Sequence, residues 1–188
     1  SIGDDAFSDC SRLTSITIPD SVTSIGNCAF SHCSSLTNIM IPEGVTSIGL
    51  WAFSSCEKLK KITIPDSVTS IEYYAFSHCS RLKEILIPDG VTSIGGTAFE
   101  KSGLASIKIP SSVTSIGTSA FHDCSSLSSV ILPDNLSVIE GYLFNECSAL
   151  TSITVPSSVT AIYSCAFKEC TSLTSIDIPA SVNQIGDS

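Results

Sequence analysis

The chain has 188 residues, of which 43% are hydrophobic and 14% are charged, and its formal net charge is −9. Disordered segments are poor in apolar residues and rich in charge, so this composition excludes a disordered chain. The acidic balance argues against nucleic acid as a partner, because phosphate backbones are bound by basic surfaces. No run of about 18 apolar residues is present, which argues against membrane insertion.

All the phenylalanines and all the prolines recur at one spacing. Successive members of each series are 23 residues apart, except for a single interval of 22 residues in each series. A period of this length predicts a solenoid or another repeat array. The two series are Phe7, Phe30, Phe53, Phe76, Phe99, Phe121, Phe144 and Phe167, and Pro19, Pro42, Pro65, Pro88, Pro110, Pro133, Pro156 and Pro179.

One unit of the repeat predicts four elements in chain order. The alternation in Ile16-Thr17-Ile18 indicates a short strand with one buried face, and Pro19 ends it in a turn. Val-Thr-Ser-Ile is a second extended segment, and the glycine after it, Gly26 in this unit, predicts a bend at positive φ. The Ala-Phe-x-x-Cys segment predicts a single helical or 3₁₀ turn that points Phe30 and Cys33 inward.

The motif L-x-x-I-x-I-P followed by A-F-x-x-C-x-x-L resembles the BspA-like, Treponema-type leucine-rich repeat over essentially the whole chain. The resemblance implies a leucine-rich repeat solenoid, with about eight 23-residue coils stacked in a right-handed array and a parallel β-sheet on the concave side. It also implies a cell-surface protein of bacteria or protists that adheres to other proteins or cells. The family has no catalytic motif to transfer.

The repeat also bears on the extent of the domain. We expect one leucine-rich repeat domain over residues 1–188. Both ends fall inside repeats, so we expect a fragment of a longer protein, and the open ends favour end-to-end self-association of the isolated chain.

Seven of the nine cysteines stand three residues after a phenylalanine, and the unit of Phe99 lacks this cysteine. The interpretation that we favour is a ladder of small buried thiols. A metal or disulfide framework is the alternative, with Cys28–Cys33 and Cys165–Cys170 as the possible pairs. The seven are Cys10, Cys33, Cys56, Cys79, Cys124, Cys147 and Cys170.

The outward positions of the first strand break the repeating pattern in the middle of the chain. Three are apolar where the pattern calls for a polar residue, and charged residues stand beside them. Such a mixed surface is typical of one that a protein partner uses, and unselected variation is the alternative. The candidate residues are Met40, Lys61, Glu84, Leu86, Lys108 and Ile131.

A second exception stands two residues before phenylalanine. Trp51 and Tyr74 occupy this position in adjacent units, so we expect their rings to stack about 5 Å apart, with Tyr73 beside them. Tryptophan and tyrosine are enriched at binding hot spots, although such a pair can also merely cover the edge of a core.

The basic residues concentrate in the same part of the chain. Seven of the nine lie between residues 58 and 108, which favours the steering of an acidic partner, with scattered solubilising charge as the alternative. They are Lys58, Lys60, Lys61, Arg81, Lys83, Lys101 and Lys108.

These observations predict a non-enzymatic, extracellular or cell-surface module for protein binding or adhesion. The expected partner is a matrix protein or a cell-surface glycoprotein, and no metal or cofactor is expected. A structural spacer that projects another domain is the first alternative. The threonine column that includes Thr23, Thr46 and Thr92 leaves an ice-binding surface as a minor one.

Overall fold

The computed structural model describes residues 1–187, so Ser188, the last residue of the predicted domain, lies outside the described residues. Within this range the chain forms twelve strands of two or three residues and no helix. The strands are β1 (Ser24–Ile25), β2 (Asn38–Met40), β3 (Ser47–Ile48), β4 (Lys61–Thr63), β5 (Ser70–Ile71), β6 (Ser93–Ile94), β7 (Ser106–Lys108), β8 (Ser115–Ile116), β9 (Ser129–Ile131), β10 (Val138–Ile139), β11 (Ala161–Ile162) and β12 (Gln184–Ile185).

The strands form two parallel faces along the stack of coils. On the first face, β2 pairs with β4 and β7 pairs with β9. On the second face, β1 pairs with β3, then β5, β6 and β8 form one sheet, and β10, β11 and β12 form another. Each pairing joins equivalent residues of successive coils, such as Ile25 with Ile48. The parallel solenoid predicted from the repeat is therefore confirmed.

The core consists of columns of equivalent apolar side chains. The phenylalanine rings form one continuous stack, with successive centroids 5.2–5.7 Å apart and planes within 16° of parallel. The rings from Phe30 to Phe144 are completely buried, and the predicted leucine and isoleucine columns surround them. Burial of each such side chain stabilises the fold by at most about 1.5–3 kcal/mol.

The predicted helical or 3₁₀ turn at Ala-Phe-x-x-Cys is wrong. Alternate amides of this segment bond within the coil, as from Cys33 to the carbonyl of Phe30 at 3.2 Å. The amides between them bond to the next coil instead, as from Phe30 to the carbonyl of Ala52 at 2.8 Å. Consecutive β-turns that pair with the next coil replace the helix, because the stacked coils satisfy half of the backbone donors.

The predicted glycine bend is also wrong, since no described glycine has a positive φ. The left-handed positions are instead the residues two before and two after each phenylalanine, such as Cys28 at 53° and His32 at 57°. At Gly49 the requirement is a close approach, because an added Cβ would lie 2.6 Å from the backbone nitrogen of Asn27. Glu72 occupies the position of Gly49 in the next unit, so the spacing between coils can adjust where this position carries a side chain.

The strand predicted at Ile16-Thr17-Ile18 does not form, and neither does its equivalent at Ile85-Leu86-Ile87, which lies between β4 and β7 in the stack. Ile85 is nevertheless 9% exposed and Leu86 is 77% exposed, as the alternating pattern predicts. The apolar alternation thus specifies which side chains are buried but not which residues join a hydrogen-bonded ladder. The first face is therefore paired only in parts.

The unit of 22 residues retains the repeat position at which the other units have cysteine. Ser102 occupies that position and is buried, with its hydroxyl oxygen 3.2 Å from the sulfur of Cys124. The deletion lies between Ser102 and Leu104, where the amide of Gly103 donates to the carbonyl of Cys79 at 3.1 Å. A Cβ at Gly103 would overlap the carbonyl oxygen of Ser80, so the shortened turn requires glycine.

Substitution of Gly44 by serine is expected to raise the free energy of unfolding by about 1 kcal/mol. The hydroxyl of Ser67, at the same position in the next unit, lies 2.7 and 2.5 Å from the carbonyl oxygens of Glu43 and Val45 and can donate its one hydrogen to either. A Cβ at Gly44 would lie 3.5 Å from two carbonyl oxygens of the preceding unit, so the serine fits. Urea unfolding measures the change, and Gly103→Ser, which overlaps backbone, is the contrasting variant. A loss of stability for Gly44→Ser would contradict the packing described.

Candidate binding surfaces

The first surface comprises the outward residues of the first strand face and is called the sheet surface. Its members are Met40, Lys61, Glu84, Leu86, Lys108 and Ile131. Met40 and Leu86 are each 77% exposed and Ile131 is 56% exposed, and the residues that precede them, Ile39, Ile85 and Val130, are buried. The buried residues on either side thus fix these apolar side chains in contact with water, where they do not contribute to the core.

The structure brings two members of the sheet surface into direct register. Lys108 lies opposite Ile131 in the pairing of β7 with β9. Together they border a depression of about 240 Å³, with Pro110 and Pro133 and with the acidic residues Asp89 and Asp134 around it. A cation beside an apolar side chain and two carboxylates offers several kinds of contact to one partner.

The second surface is the aromatic ridge, formed by Trp51, Tyr73 and Tyr74. The predicted stack of Trp51 on Tyr74 is confirmed, with ring centroids 3.8 Å apart and planes 7° from parallel. Both residues occupy left-handed turn positions, each with a φ of 59°. Trp51 is 41% exposed, so the pair presents an edge to solvent.

Tyr73 lies beside a groove that the sequence patterns did not single out. Its ring lies over Gly96, where an added Cβ would come 2.9 Å from the ring carbon Cε1. The groove has a volume of about 250 Å³ and runs across Gly95 and Gly117, with Glu72 and Glu140 among its lining residues. Glu72, Glu140 and Tyr163 replace glycine in an otherwise glycine column, and these replacements are the sequence signal that could have revealed the groove.

The candidate residues therefore belong to two surfaces and not to one. The sheet surface lies on the first strand face, whereas the aromatic ridge lies on the turn segment that follows the second face. Within one unit, the Pro42 turn and β3 separate Met40 from Trp51.

The cysteines form the predicted ladder of buried thiols. Six are buried, and each donates its S–H to a phenylalanine carbonyl of the preceding coil at 3.0–3.2 Å. Burial raises the pKa of Cys79 and of Cys124 from 9.0 to about 12. It raises the pKa of Cys33 and of Cys170 to about 11, and it acts in the same direction on Cys56 and Cys147.

All nine cysteines are free, with Cys10 exposed and Cys28 and Cys165 half-buried. Buried protonated thiols are poor nucleophiles and poor metal ligands.

The threonine column also takes part in the bonding between coils. The hydroxyls of Thr46, Thr92 and Thr114 donate to the backbone carbonyl of the equivalent residue one coil before, at 3.2–3.4 Å. Hydroxyls held in this way are not free donors for an ordered water surface. In residues 1–187, no group of three His, Cys, Asp or Glu side chains is placed to hold a metal ion.

A family model for the BspA type leucine-rich repeat region matches residues 1–127 and 97–188, with six copies of the repeat. The chain belongs to the BspA-type leucine-rich repeat family. Among the residues described, no helix of this leucine-rich repeat chain is long and apolar enough to span a bilayer. No curated protein matches the chain.

Solved structures of other leucine-rich repeat proteins superimpose on this one. A leucine-rich repeat protein from Bacteroides ovatus has a TM-score of 0.90 and 40% identity, covering 92% of this chain and 48% of that protein. The T. pallidum leucine-rich repeat protein has a TM-score of 0.79 and 30% identity, covering 85% and 78%. A leucine-rich cell-surface protein from Faecalibacterium prausnitzii has a TM-score of 0.52 and 33% identity, covering 99% and 69%. The leucine-rich repeat chain thus spans about half the length of the Bacteroides ovatus protein.

Proposed function

We propose that the chain is a non-enzymatic module for protein binding or adhesion, displayed on a cell surface. The observation that carries the proposal is the exposure of Met40, Leu86 and Ile131 at outward positions where the repeat calls for polar residues. Leucine-rich repeat solenoids present such regular surfaces to protein partners, and the similar Faecalibacterium prausnitzii protein is described as a cell-surface protein. An extracellular matrix protein or a cell-surface glycoprotein is the partner that we propose.

The rigid frame supports this proposal on energetic grounds. Each exposed apolar residue is flanked in sequence by buried side chains, so its position is fixed before a partner arrives. Preorganised side chains lose little conformational entropy on binding, which favours affinity from a modest contact area. The stacked Trp51 and Tyr74 add a second preorganised contact of a kind enriched at hot spots.

The same proposal covers the extent and association of the chain. We regard residues 1–188 as one part of a longer surface protein. Ile178 and Ile185 are 42% and 65% exposed near one end of the stack, and they would support association of isolated chains through that end.

A binding screen against matrix proteins and cell-surface glycoproteins tests the function. We expect the wild-type chain to bind at least one of them, and Met40→Ser/Leu86→Ser or Trp51→Ala/Tyr74→Ala to weaken that binding at least about tenfold. Thr17→Ser/Thr154→Ser is the matched control, because these exposed residues hold the same outward position in other coils. Equal binding by the two test variants and the wild type would contradict the proposed surfaces. No binding to any protein would favour the structural spacer.

A further inference from the structure

Basic side chains gather on two adjacent coils, outside the apolar positions of the sheet surface. Lys58 and Lys60 flank the completely buried Leu59, and Arg81 and Lys83 flank the completely buried Leu82 one coil further. The two coils are one step apart, since the rings of Phe53 and Phe76 have centroids 5.6 Å apart. With Lys61, at the start of β4, five of the nine basic residues of the chain lie here.

The repeat does not need these cations for folding. All five are exposed, and the residues at the positions of Lys60 and Lys83 in every other unit are uncharged. Those residues are Thr14, Thr37, Ala105, Ser128, Thr151 and Thr174. The acidic side chains in the same two segments are Glu57 and Glu84, and exposed ion pairs with them would contribute at most about 1 kcal/mol each.

A depression lies among these cations. It has a volume of about 460 Å³ and is lined by Lys60, Ser80, Arg81 and Lys83. Three of the four lining side chains are cationic, and the fourth, Ser80, donates its hydroxyl to the carbonyl of Glu57 at 3.3 Å. Its apolar surface comes from the aliphatic parts of the cationic side chains, so the charged groups are what distinguish it from an ordinary apolar pocket.

We propose that this cationic patch, formed by Lys58, Lys60, Lys61, Arg81 and Lys83, binds a sulfated polysaccharide. The charge of the patch is opposite to that of the acidic molecule around it, so it attracts a polyanion locally and orients it. Such a ligand carries anionic groups along its length and can meet cations on both coils at once. The arginine can hold a sulfate through two parallel hydrogen bonds, whereas the lysines act as point charges. The patch shares Lys61 with the sheet surface, whereas Met40, Leu86 and the aromatic ridge take no part in it.

Binding to heparin, used as the sulfated polysaccharide, tests the proposal. We expect the wild-type chain to bind heparin at low ionic strength and to release it as salt rises, because binding depends on counterion release. Arg81→Gln/Lys83→Gln is expected to lower the affinity at least about tenfold. Arg12→Gln/Lys168→Gln is the control, because it changes the net charge equally, and Arg12 holds the repeat position of Arg81.

Three outcomes would overturn the proposal. These are an absence of heparin binding at low ionic strength, an equal loss of affinity in both double variants, and binding of polyglutamate as tight as that of heparin. The last result would assign the patch to an acidic peptide. Met40→Ser/Leu86→Ser should retain heparin binding, which separates the fate of this proposal from that of the protein-binding function. Melting curves check that the variants remain folded, since every substituted side chain is exposed.

Discussion

Replacement of Phe76 by alanine is expected to lower the free energy of unfolding by about 3–5 kcal/mol. The ring is completely buried, and it stacks on Phe53 and Phe99 with centroids 5.6 and 5.5 Å away. Its removal leaves a cavity in the middle of the stack, where the surrounding columns are held in register by the neighbouring coils and cannot collapse to fill it. Urea unfolding followed by circular dichroism measures the loss.

The position of Phe76 in the stack gives this prediction a built-in comparison. Phe7, in the first coil, is only half-buried and stacks on a single neighbour, so Phe7→Ala should cost clearly less. In a solenoid each coil contacts only its neighbours, so a central cavity also weakens the coupling between the two halves. Fluorescence of Trp51, the single tryptophan, reports on one half. An unfolding midpoint of Phe76→Ala equal to that of the wild type would contradict the inward stack.

The chain is expected to lose stability steeply above pH 9, because its buried thiols must stay protonated in the fold. Burial raises the pKa of Cys79 and Cys124 from 9.0 to about 12. In the unfolded chain these thiols ionise near pH 9, so between pH 9 and 12 the folded state binds more protons. Stability is therefore complete below pH 9 and falls as the pH rises, by about 1.4 kcal/mol per pH unit for each fully buried thiol.

The slope of stability against pH isolates this effect from the cost of any substitution. Cys79→Ala/Cys124→Ala should reduce the slope between pH 10 and 11 by about 2.5 kcal/mol per pH unit, whatever its effect at neutral pH. Cys10→Ala is the control, because this side chain is exposed. Urea midpoints at several pH values give the slopes. An unchanged slope in the double variant would show that the thiols are not the groups responsible.

Most of the fold follows from the sequence because the same apolar positions recur in each of the eight repeat units. One alternating triplet such as Ile62-Thr63-Ile64 is ambiguous, but the same pattern at every period predicts a continuous column. The stack of Trp51 on Tyr74 follows in the same way, because equivalent positions in adjacent coils must lie one step apart. The family model bears out the resemblance that the motif predicts.

What the sequence did not predict depends on contacts between coils that no local pattern records. The segment around Phe30 reads as a helical turn when taken alone, yet half of its amides bond to the next coil. Glycine at position 49 reads as a bend, whereas its role is to let Asn27 approach. The groove along Gly95 and Gly117 is not predicted by residues that break the pattern, because it is formed where glycines leave side chains absent.

The left-handed turn positions have a consequence for how the protein can change. From Asp5 to Cys165, the amide of each of these residues donates to a carbonyl of the next coil, so neighbouring backbone fixes the conformation and the side chain does not. The chain accordingly fills the positions with residues as different as Asp9, Trp51 and Lys101. Side chains in these two rows can therefore be exchanged one at a time without a change in the backbone. New recognition properties can arise there at little cost to folding.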